Sequence, residues 1–316
     1  MRIFVAGASG VIGRQLVPLL ATAGHEVFGT TRLEAKRPLL GKLGATPLVI
    51  DALNPTQVVE AVRVTRPDVI VHELTAIGAI DTRHMERSFA ATNQLRTAGT
   101  DNLMLAARET GVGRVVAQSH VALYRRSGGP VKSEADPIGN QGPAGMRANE
   151  RAIEYLETAV LGEPALEGIV LRYGWFYGPG TSMSPEGETF DLIRRRRFPL
   201  VGDGEGVWSF VHVFDAARAT LAAVESRATG IYNIVDNEPA RVNEWLPELA
   251  SQLGAKRPIH LPQFIARLFA GEAGVVMMTD LRGASNAKAK RELGWQLQHP
   301  TWRAALVGTL EYSTPT

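Results

Sequence analysis

Residues 1–37, MRIFVAGASGVIGRQLVPLLATAGHEVFGTTRLEAKR, contain the stretch that decides the fold. The apolar run from Arg2 to Ala6 predicts a buried strand, which leads into a turn with three glycines. An apolar pattern of helical period follows, and then a second predicted strand from Glu26 to Thr30. A strand, a glycine turn, a helix and a second strand form the unit that binds a dinucleotide, so we predict a nucleotide site here.

Each glycine of the turn has its own physical role. Gly7 permits the tight turn after the strand, Gly10 lets the backbone approach a pyrophosphate, and Gly13 lets the helix pack closely on the strand. The pyrophosphate would lie at the helix N-terminus, where backbone N–H groups lack intrahelical partners. A tight turn without a ligand is the alternative. The residues predicted to surround the cofactor here are Gly7, Ser9, Gly10, Val11, Ile12 and Gly13.

Composition limits the classes of function. The 316 residues suffice for one large α/β domain and a smaller lobe, and the net charge of +2 gives no indication of a nucleic-acid partner. There is no cysteine, which excludes disulfides and thiolate chemistry, and the seven histidines show no metal-ligand spacing. Met1 leads directly into the first strand and no apolar run reaches membrane-spanning length, so we expect a cytoplasmic protein without a membrane partner.

The end of the second strand bears on the choice of cofactor. An acidic residue at this point binds the ribose 2′-hydroxyl of NAD, whereas an Arg accommodates the 2′-phosphate of NADP. Here Thr31 occupies the acidic position and Arg32 follows it. A guanidinium matches a phosphate in geometry and charge, so the sequence favours NADP. Glu34 keeps NAD open as the alternative.

The G-x-x-G-x-x-G spacing, with Ile before its last glycine, resembles the extended short-chain dehydrogenase/reductase superfamily, the NAD(P)-dependent epimerase/dehydratase group. Residues 168–180, GIVLRYGWFYGPG, and 287–295, AKAKRELGW, are similar to two further motifs of that family. The resemblance implies an α/β fold, a Rossmann-type doubly wound parallel sheet with a smaller C-terminal substrate lobe. We expect a dinucleotide-binding domain over 1–175 and mainly the substrate lobe over 176–316, with the chain crossing between lobes near 208–228.

The resemblance implies further contacts with the cofactor. Asp51 would contact the adenine, although capping the helix predicted from Pro55 to Val64 is an equally good role for it. Tyr173 would lie near the nicotinamide. The other implied contacts are Ala52, Leu74, Thr75 and Ala76.

The catalytic pair of the resembled family, a Tyr and a Lys four residues later, is missing. We align Ala144 and Ala148 with it, and no Tyr-x-x-x-Lys occurs in the chain. Residues at this spacing share one helix face, where the Lys lowers the pKa of the Tyr so that it exchanges a proton with the carbinol oxygen. The family's assisting Ser or Thr corresponds to His120. Our candidates for the replacement proton donor are Ser119, His120, Tyr124 and Tyr173.

Four other features have expected roles. Arg96 stands where the family has a buried Asn, and it either meets an anion or lies at a surface. Asp215 is predicted to cap a helix, and residues 230–236 are predicted to form a strand of the smaller lobe. The run Arg194 to Arg197 is either a solvated helix end or a clamp for a phosphate.

Three functions remain open from the sequence. The first is an NAD(P)-dependent oxidoreductase that transfers hydride to or from a small molecule with a non-standard proton donor. The second is an NDP-sugar epimerase or dehydratase, which normally needs the missing pair. The third is a sensor that binds NADP(H) without turnover. The resemblance also implies a homodimer formed through the helices before and after the fifth strand.

Overall fold

A parallel sheet lies at the centre of the computed structural model, which describes residues 1–139 and 142–303. Gln141, in the stretch aligned with the missing pair, and residues 304–316 of the expected substrate lobe lie outside the described residues. The strands are β1 (Arg2–Ala6), β2 (Glu26–Thr31), β3 (Thr46–Val49), β4 (Val69–His72), β5 (Arg114–His120), β6 (Val131–Lys132), β7 (Glu167–Tyr173), β8 (Trp175–Tyr177), β9 (Leu200–Val201), β10 (Val207–Trp208), β11 (Phe210–His212), β12 (Gly230–Ile234), β13 (Ala240–Arg241), β14 (His260–Leu261) and β15 (Gly283–Ala284).

Helices cover both faces of the sheet and build most of the C-terminal lobe. They are α1 (Val11–Thr22), α2 (Arg37–Lys42), α3 (Pro55–Thr65), α4 (Met85–Gln94), α5 (Thr100–Thr110), α6 (Ala144–Leu161), α7 (Glu188–Arg194), α8 (Val213–Glu225), α9 (Val242–Gln252), α10 (Gln263–Thr279) and α11 (Ala287–Glu292). A π-helical turn, Leu95–Gly99, joins α4 to α5. Within the described part of the chain, no helix is both long and apolar enough to cross a membrane.

The main sheet has seven strands in the order β12-β7-β5-β4-β1-β2-β3, and its neighbouring strands are all parallel. The chain builds outward from β1 to β3 and then returns to place β4 on the other side of β1. The carboxyl ends of β1 and β4 therefore flank the point where the direction of winding reverses, the usual ligand site of such sheets. The predicted doubly wound α/β fold is confirmed, with the glycine turn at this point.

Two apolar cores lie on the two faces of the sheet. On one face α1 and α8 pack together, with Leu16 and Ala216 among the fully buried residues. On the other face α3, α5 and α6 cover the strands, with Val62 and Leu156 in the core. A third core around Trp245 fills the C-terminal lobe. Helices on both faces explain why the central strands read as continuous apolar runs.

The structure corrects the expected place of residues 230–236. They were predicted as a strand of the smaller lobe, but β12 lies at the edge of the main sheet and pairs with β7, with Tyr232 opposite Leu171. Helix α8 returns the chain to this edge because its small residues pack closely against α1. The boundary proposed at residue 175 stays a prediction.

Candidate active site

The glycine turn has the geometry that its residue types predict. Gly7 has φ +92°, and a Cβ there would lie 2.6 Å from the Glu73 carbonyl oxygen. A Cβ on Gly13 would lie 2.4 Å from the carbonyl oxygen of Ala8, so close packing requires glycine at both positions. By contrast, a Cβ on Gly10 would meet only the Gly7 carbonyl oxygen, at 3.1 Å, among the described atoms. Gly10 therefore leaves open space in front of the first turn of α1.

The turn is tied to the end of β2. The Ser9 hydroxyl donates to the Thr31 hydroxyl at 3.3 Å, and the Thr31 hydroxyl also accepts from the Leu33 amide. Arg32 is exposed and has no ion pair within residues 1–139 and 142–303. Glu34 instead pairs with Arg37, at 2.6 Å between Nε and Oε1. Glu34, the acidic residue that could have favoured NAD, is thus already paired with Arg37, whereas Arg32 is available to a ligand.

Other predicted cofactor residues lie along the same edge. One of the two expected roles of Asp51 was to cap the next helix, and this expectation is wrong. Its carboxylate accepts a hydrogen bond from the Leu53 amide. Asn54 caps α3 instead, by accepting from the Gln57 amide. The cap moves to Asn54 because that residue directly precedes the helix. The further predicted contacts are Ala52, Ile12 and Leu74, which are buried, and Val11, Thr75 and Ala76, which are exposed.

Tyr173 lies in the core beneath the site rather than in an open position. Its hydroxyl donates to Glu73 Oε1 at 2.8 Å and lies 2.6 Å from the Thr220 hydroxyl of α8. Burial, and then the nearby Glu73, raise the pKa of Tyr173 well above its ordinary value. Burial also raises the pKa of Glu73 to about 8, against the opposing effect of the hydrogen bond from Tyr173. This conformation therefore favours a structural hydrogen bond over proton donation by Tyr173.

Ser119 is part of a buried ionic network. Its hydroxyl donates to Glu157 Oε1 at 2.5 Å, and Arg172 binds both oxygens of the same carboxylate at 2.8 and 2.6 Å. All three side chains are buried. The hydrogen bonds and charge of Glu157 raise the pKa of Arg172, although burial alone would lower it. Ser119 thus serves to hold β5 against α6 and β7, and it faces away from the side of β5 on which His120 lies.

His120, the last residue of β5, is the candidate whose ring contacts Trp175 of β8. The Ala122 amide donates to its Nδ1 at 3.0 Å, so the neutral ring carries its proton on Nε2. Nε2 has no hydrogen-bond partner in the described ranges 1–139 and 142–303, and the side chain is half-buried. Burial, and then the positive charge of Arg96, lower the pKa of His120 to about 3. His120 is therefore a neutral hydrogen-bond donor at physiological pH.

Tyr124 closes the loop after β5. Its hydroxyl donates to Asn233 Oδ1 at 2.7 Å, and the Arg172 guanidinium lies over its ring, 5.1 Å from the centroid. Only 3% of the residue is exposed, and burial raises its pKa. The Tyr124 hydroxyl is therefore already hydrogen-bonded to β12 and is not free to bind a substrate.

Helix α6 buries a different pair of residues from the pair that the sequence alignment points to. Ala144 is exposed, and Ala148 lies on the side of α6 that faces α4. The i, i+4 pair beside the loop after β5 is Met146 and Glu150, both buried and lining a small cavity with Tyr124. The alignment of the missing Tyr and Lys with 144 and 148 stays a prediction. Neither two alanines nor a thioether and a carboxylate reproduce the chemistry of that pair.

An aromatic wall borders His120 on the side of the C-terminal lobe. The imidazole contacts the Trp175 ring edge-on, with centroids 5.0 Å apart. Trp175 stacks on Trp208 at 4.3 Å, and Trp208 packs on the buried Trp245. Because Trp175 is only half-buried, part of its ring remains available to a ligand. A planar, apolar surface next to a hydrogen-bond donor suits an aromatic substrate.

Two further expectations have definite outcomes. Asp215 does not cap α8; His212 does, through the Phe214 amide, while the Asp215 carboxylate accepts from the amides of Gln298 and His299. Asp215 lies inside the helix, so its side chain is directed to the following chain segment. The arginine run lies at the exposed end of α7, where Arg195 pairs with Asp191.

Comparison with known proteins agrees with this geometry. A 3-diazoavenalumate denitrifying reductase from Streptomyces sp is 42% identical over 307 residues, which are 97% of this chain and 99% of that protein. A 2-alkyl-3-oxoalkanoate reductase from Stenotrophomonas maltophilia (strain K279a) is 27% identical over 311 residues, 96% of this chain and 91% of that protein. The crystal structure of human epimerase family protein SDR39U1 (isoform2) with NADPH has the same fold, with TM-score 0.76, 21% identity, and coverage of 98% and 99% of the two chains.

The model of the NAD dependent epimerase/dehydratase family matches residues 3–235, and the chain belongs to this family. It is an NAD(P)-dependent oxidoreductase, as its relatives are named reductases over almost its whole length. The predicted family and class of reaction are confirmed. The sequence reasoning missed Met146, Glu150 and Trp175, although the i, i+4 spacing of the first two was a usable signal.

Proposed function

We propose that this protein is an NADPH-dependent reductase of a small aromatic molecule, and that His120 binds the acceptor group through its Nε2–H. The observation that carries the proposal is the Ala122 amide bonded to Nδ1, which fixes the proton on the nitrogen that has no partner among the described residues. Trp175 beside the imidazole supports an aromatic substrate. The exposed Arg32 and the pairing of Glu34 with Arg37 support NADPH over NADH.

The absence of a proton-donating pair supports one class of acceptor in particular. When NADPH is bound it supplies the hydride. An aryl diazonium ion needs no proton: the hydride forms a C–H bond, the C–N bond breaks, and its electron pair leaves with N₂. The balance is ArN₂⁺ + NADPH → ArH + N₂ + NADP⁺. The relative that is 42% identical is named a denitrifying reductase of a diazo compound, which supports testing this class first.

A carbonyl is the second candidate acceptor. Hydride addition to its carbon places the electron pair on oxygen, and the Nε2–H of His120 would stabilise this alkoxide by a hydrogen bond. Since burial and Arg96 lower the pKa of His120, the imidazole keeps its single proton, and the proton for the alkoxide would come from water. The relative named a 2-alkyl-3-oxoalkanoate reductase supports this candidate.

The test compares two acceptors of the same shape. Purified protein with NADPH is given 4-carboxybenzenediazonium or 4-carboxybenzaldehyde, and NADPH oxidation is followed together with N₂ release. We expect equal amounts of NADP⁺ and N₂ from the first compound, formed faster than in the reaction without protein. Reduction of the aldehyde alone would assign the carbonyl reaction. NADPH that fails to bind would contradict the reductase proposal.

We also propose that the protein acts in the cytoplasm as a homodimer through α4 and α6. The support is an exposed strip on these helices that includes Ala90, Ala148 and Tyr155, the last 44% exposed. Small side chains allow close helix approach, and an exposed Tyr suits an interface. Light scattering after size-exclusion chromatography tests this: Tyr155→Glu should convert a dimer to a monomer, and a wild-type monomer would contradict it.

A further inference from the structure

Arg96 is a buried cation without a counter-ion, and it lies beside the proposed acceptor site. It belongs to the π-helical turn between α4 and α5, and only 3% of the residue is exposed. Its Nη1 donates to Asn149 Oδ1 at 2.5 Å, and its Nε is buried without a hydrogen-bond partner. No carboxylate within the described ranges lies close enough to pair with it. Turns of this kind inside α-helices are frequent at functional sites.

Hydrogen bonds place the turn that carries Arg96 against the end of β4. The Thr100 hydroxyl donates to the Arg96 carbonyl oxygen at 2.8 Å and lies 3.0 Å from Nε2 of His72, the last residue of β4. Burial, and then the charge of Arg96, lower the pKa of His72 and of His120. Asn149, its hydrogen-bond partner, adjoins Glu150 on α6. Arg96 therefore lies between α6 and the carboxyl end of β4, the strand that neighbours β5 in the sheet. Burial lowers the pKa of Arg96 to about 10, so it stays charged at neutral pH.

The missing counter-ion distinguishes Arg96 from two other buried arginines. Arg172 binds both oxygens of Glu157, and Arg114 binds Glu167 as well as the carbonyl oxygens of Ala223 and Ala228. Each of these two also has one buried nitrogen without a partner, but its charge is compensated by a carboxylate. A buried charge that lacks a partner destabilises the fold, because its lost hydration is not replaced. Residues that keep such a cost are typically those that meet a charged ligand.

We propose that Arg96 is a substrate-binding residue that holds an anionic oxygen, a carboxylate or a phenolate, of an aromatic substrate in the acceptor site beside His120. This inference rests on the proposed function, because it places the substrate at His120 and Trp175. The planar fork of a guanidinium matches a carboxylate with two parallel hydrogen bonds, and the unpartnered Nε is one of the donors that this requires. An anion there would also replace the missing counter-ion. Arg96 would thus select substrates by charge, while His120 binds the group that is reduced.

The test measures binding of an anion and of its neutral analogue. Benzoate and benzamide are titrated by calorimetry into the full-length protein saturated with NADP⁺, and into the protein alone. We expect benzoate to bind roughly tenfold or more tightly than benzamide. Arg96→Met should abolish this preference, and Arg96→Lys should keep part of it. Arg87→Met, an exposed arginine of α4, is the matched control and should bind benzoate like the wild type.

The outcomes separate this inference from the function on which it rests. If NADP⁺ binds but benzoate binds no better than benzamide, the role of Arg96 is wrong and the reductase proposal stands. If Arg96→Met weakens NADP⁺ and leaves the benzoate preference intact, Arg96 belongs to the cofactor and the inference is overturned. If NADP⁺ does not bind, the reductase proposal fails, and the benzoate titration on the protein alone still decides the anion site.

Discussion

The two ends of helix α6 each contact a buried arginine, and only one of these arginines has a counter-ion on the helix. At the C-terminal half, Arg172 is bonded to Glu157, which also accepts from Ser119, so the charges compensate one another. At the N-terminal half, Arg96 has an amide oxygen of Asn149 as its acceptor, and the nearby Glu150 has an unpartnered Oε2. A buried charge with an opposite charge beside it is compensated, whereas a buried charge without one costs stability. The difference indicates that the first end is structural and that the second is kept for a ligand.

The largest effect on stability is expected from breaking the buried ion pair of Arg172 and Glu157. Arg172→Met leaves Glu157 as a buried charge without a cation, which should lower the free energy of unfolding by about 3–5 kcal/mol. Urea denaturation measures this value. The double variant Arg172→Met/Glu157→Leu should recover most of the loss because no charge remains buried. A loss below about 1 kcal/mol in the single variant would show that the network is not what holds this end.

Removing the hydrogen-bond donor His120 should affect the reaction rather than the stability. His120→Ala should lower the rate of carbonyl reduction by roughly 100-fold or more, because the developing alkoxide loses its hydrogen bond in the transition state. Stopped-flow single turnovers measure this step. NADPH affinity should stay within about twofold of the wild type, as should that of the control His84→Ala, an exposed histidine. A rate unchanged by His120→Ala would remove this residue from the mechanism.

The same contrast holds for buried acids, since Glu157 has a cation and Glu73 has none among the described residues. The pKa of Glu73 is raised from 4.5 to about 8, so the folded protein holds a proton that the unfolded chain releases. Stability from this group is complete below about pH 4.5 and is lost as pH rises toward 8. The slope reaches about 1.4 kcal/mol per pH unit.

Glu73→Gln tests this pH dependence, because it keeps the acceptor for Tyr173 and removes the titration. Its free energy of unfolding should fall less steeply over the same interval than that of the wild type. Asp236, whose pKa burial also raises to about 8, would still contribute a decrease of the same sign. Identical pH profiles for the two proteins would show that Glu73 is not protonated in the fold.

Arg32 also has no ion pair among the described residues, but unlike Arg96 it is exposed. Because water hydrates its guanidinium, Arg32→Ala should leave the free energy of unfolding unchanged. Its role toward a 2′-phosphate predicts a loss of NADPH affinity of about tenfold, with NADH affinity unaffected. Fluorescence titrations of both cofactors measure the two values. Equal losses for the two cofactors would contradict a phosphate contact.

The smallest effect is expected for the stability of Arg96→Met. Because the guanidinium has no counter-ion, replacing it by an apolar side chain should change the free energy of unfolding by less than about 1 kcal/mol, or raise it. The comparison with Arg172→Met is then direct, as both substitutions remove a buried arginine from the surroundings of α6. A loss as large as that of Arg172→Met would mean that Arg96 has a structural role.

Much of the fold follows from short stretches of sequence. Arg2 to Ala6, the glycine turn and the following helix are specified locally, by apolar period and by positions that only glycine can occupy. The partner of β12 could not be predicted in this way. A strand pattern says which residues are extended, but the sheet that it joins depends on where α8 returns the chain.

The catalytic end of α6 shows the same limit. A spacing of four residues says that two side chains share a helix face, but not which face turns inward. The aligned pair 144 and 148 differs from the buried pair 146 and 150 by two residues, a rotation of about 200° around the helix axis. A shift of two positions in an alignment therefore moves a pair to the opposite side of the helix.

The sequence by itself determined the strand–glycine turn–helix unit, the family resemblance and the absence of a Tyr-x-x-x-Lys pair, because these depend on residue types at fixed short spacings. Only the tertiary structure decided which buried groups have partners. The proton on Nε2 of His120 depends on the Ala122 amide, and the state of Arg96 depends on α6 presenting an Asn rather than a carboxylate. The Arg96–Asn149 contact joins residues 53 positions apart, and the effect of each contact depends on burial, which no local pattern specifies.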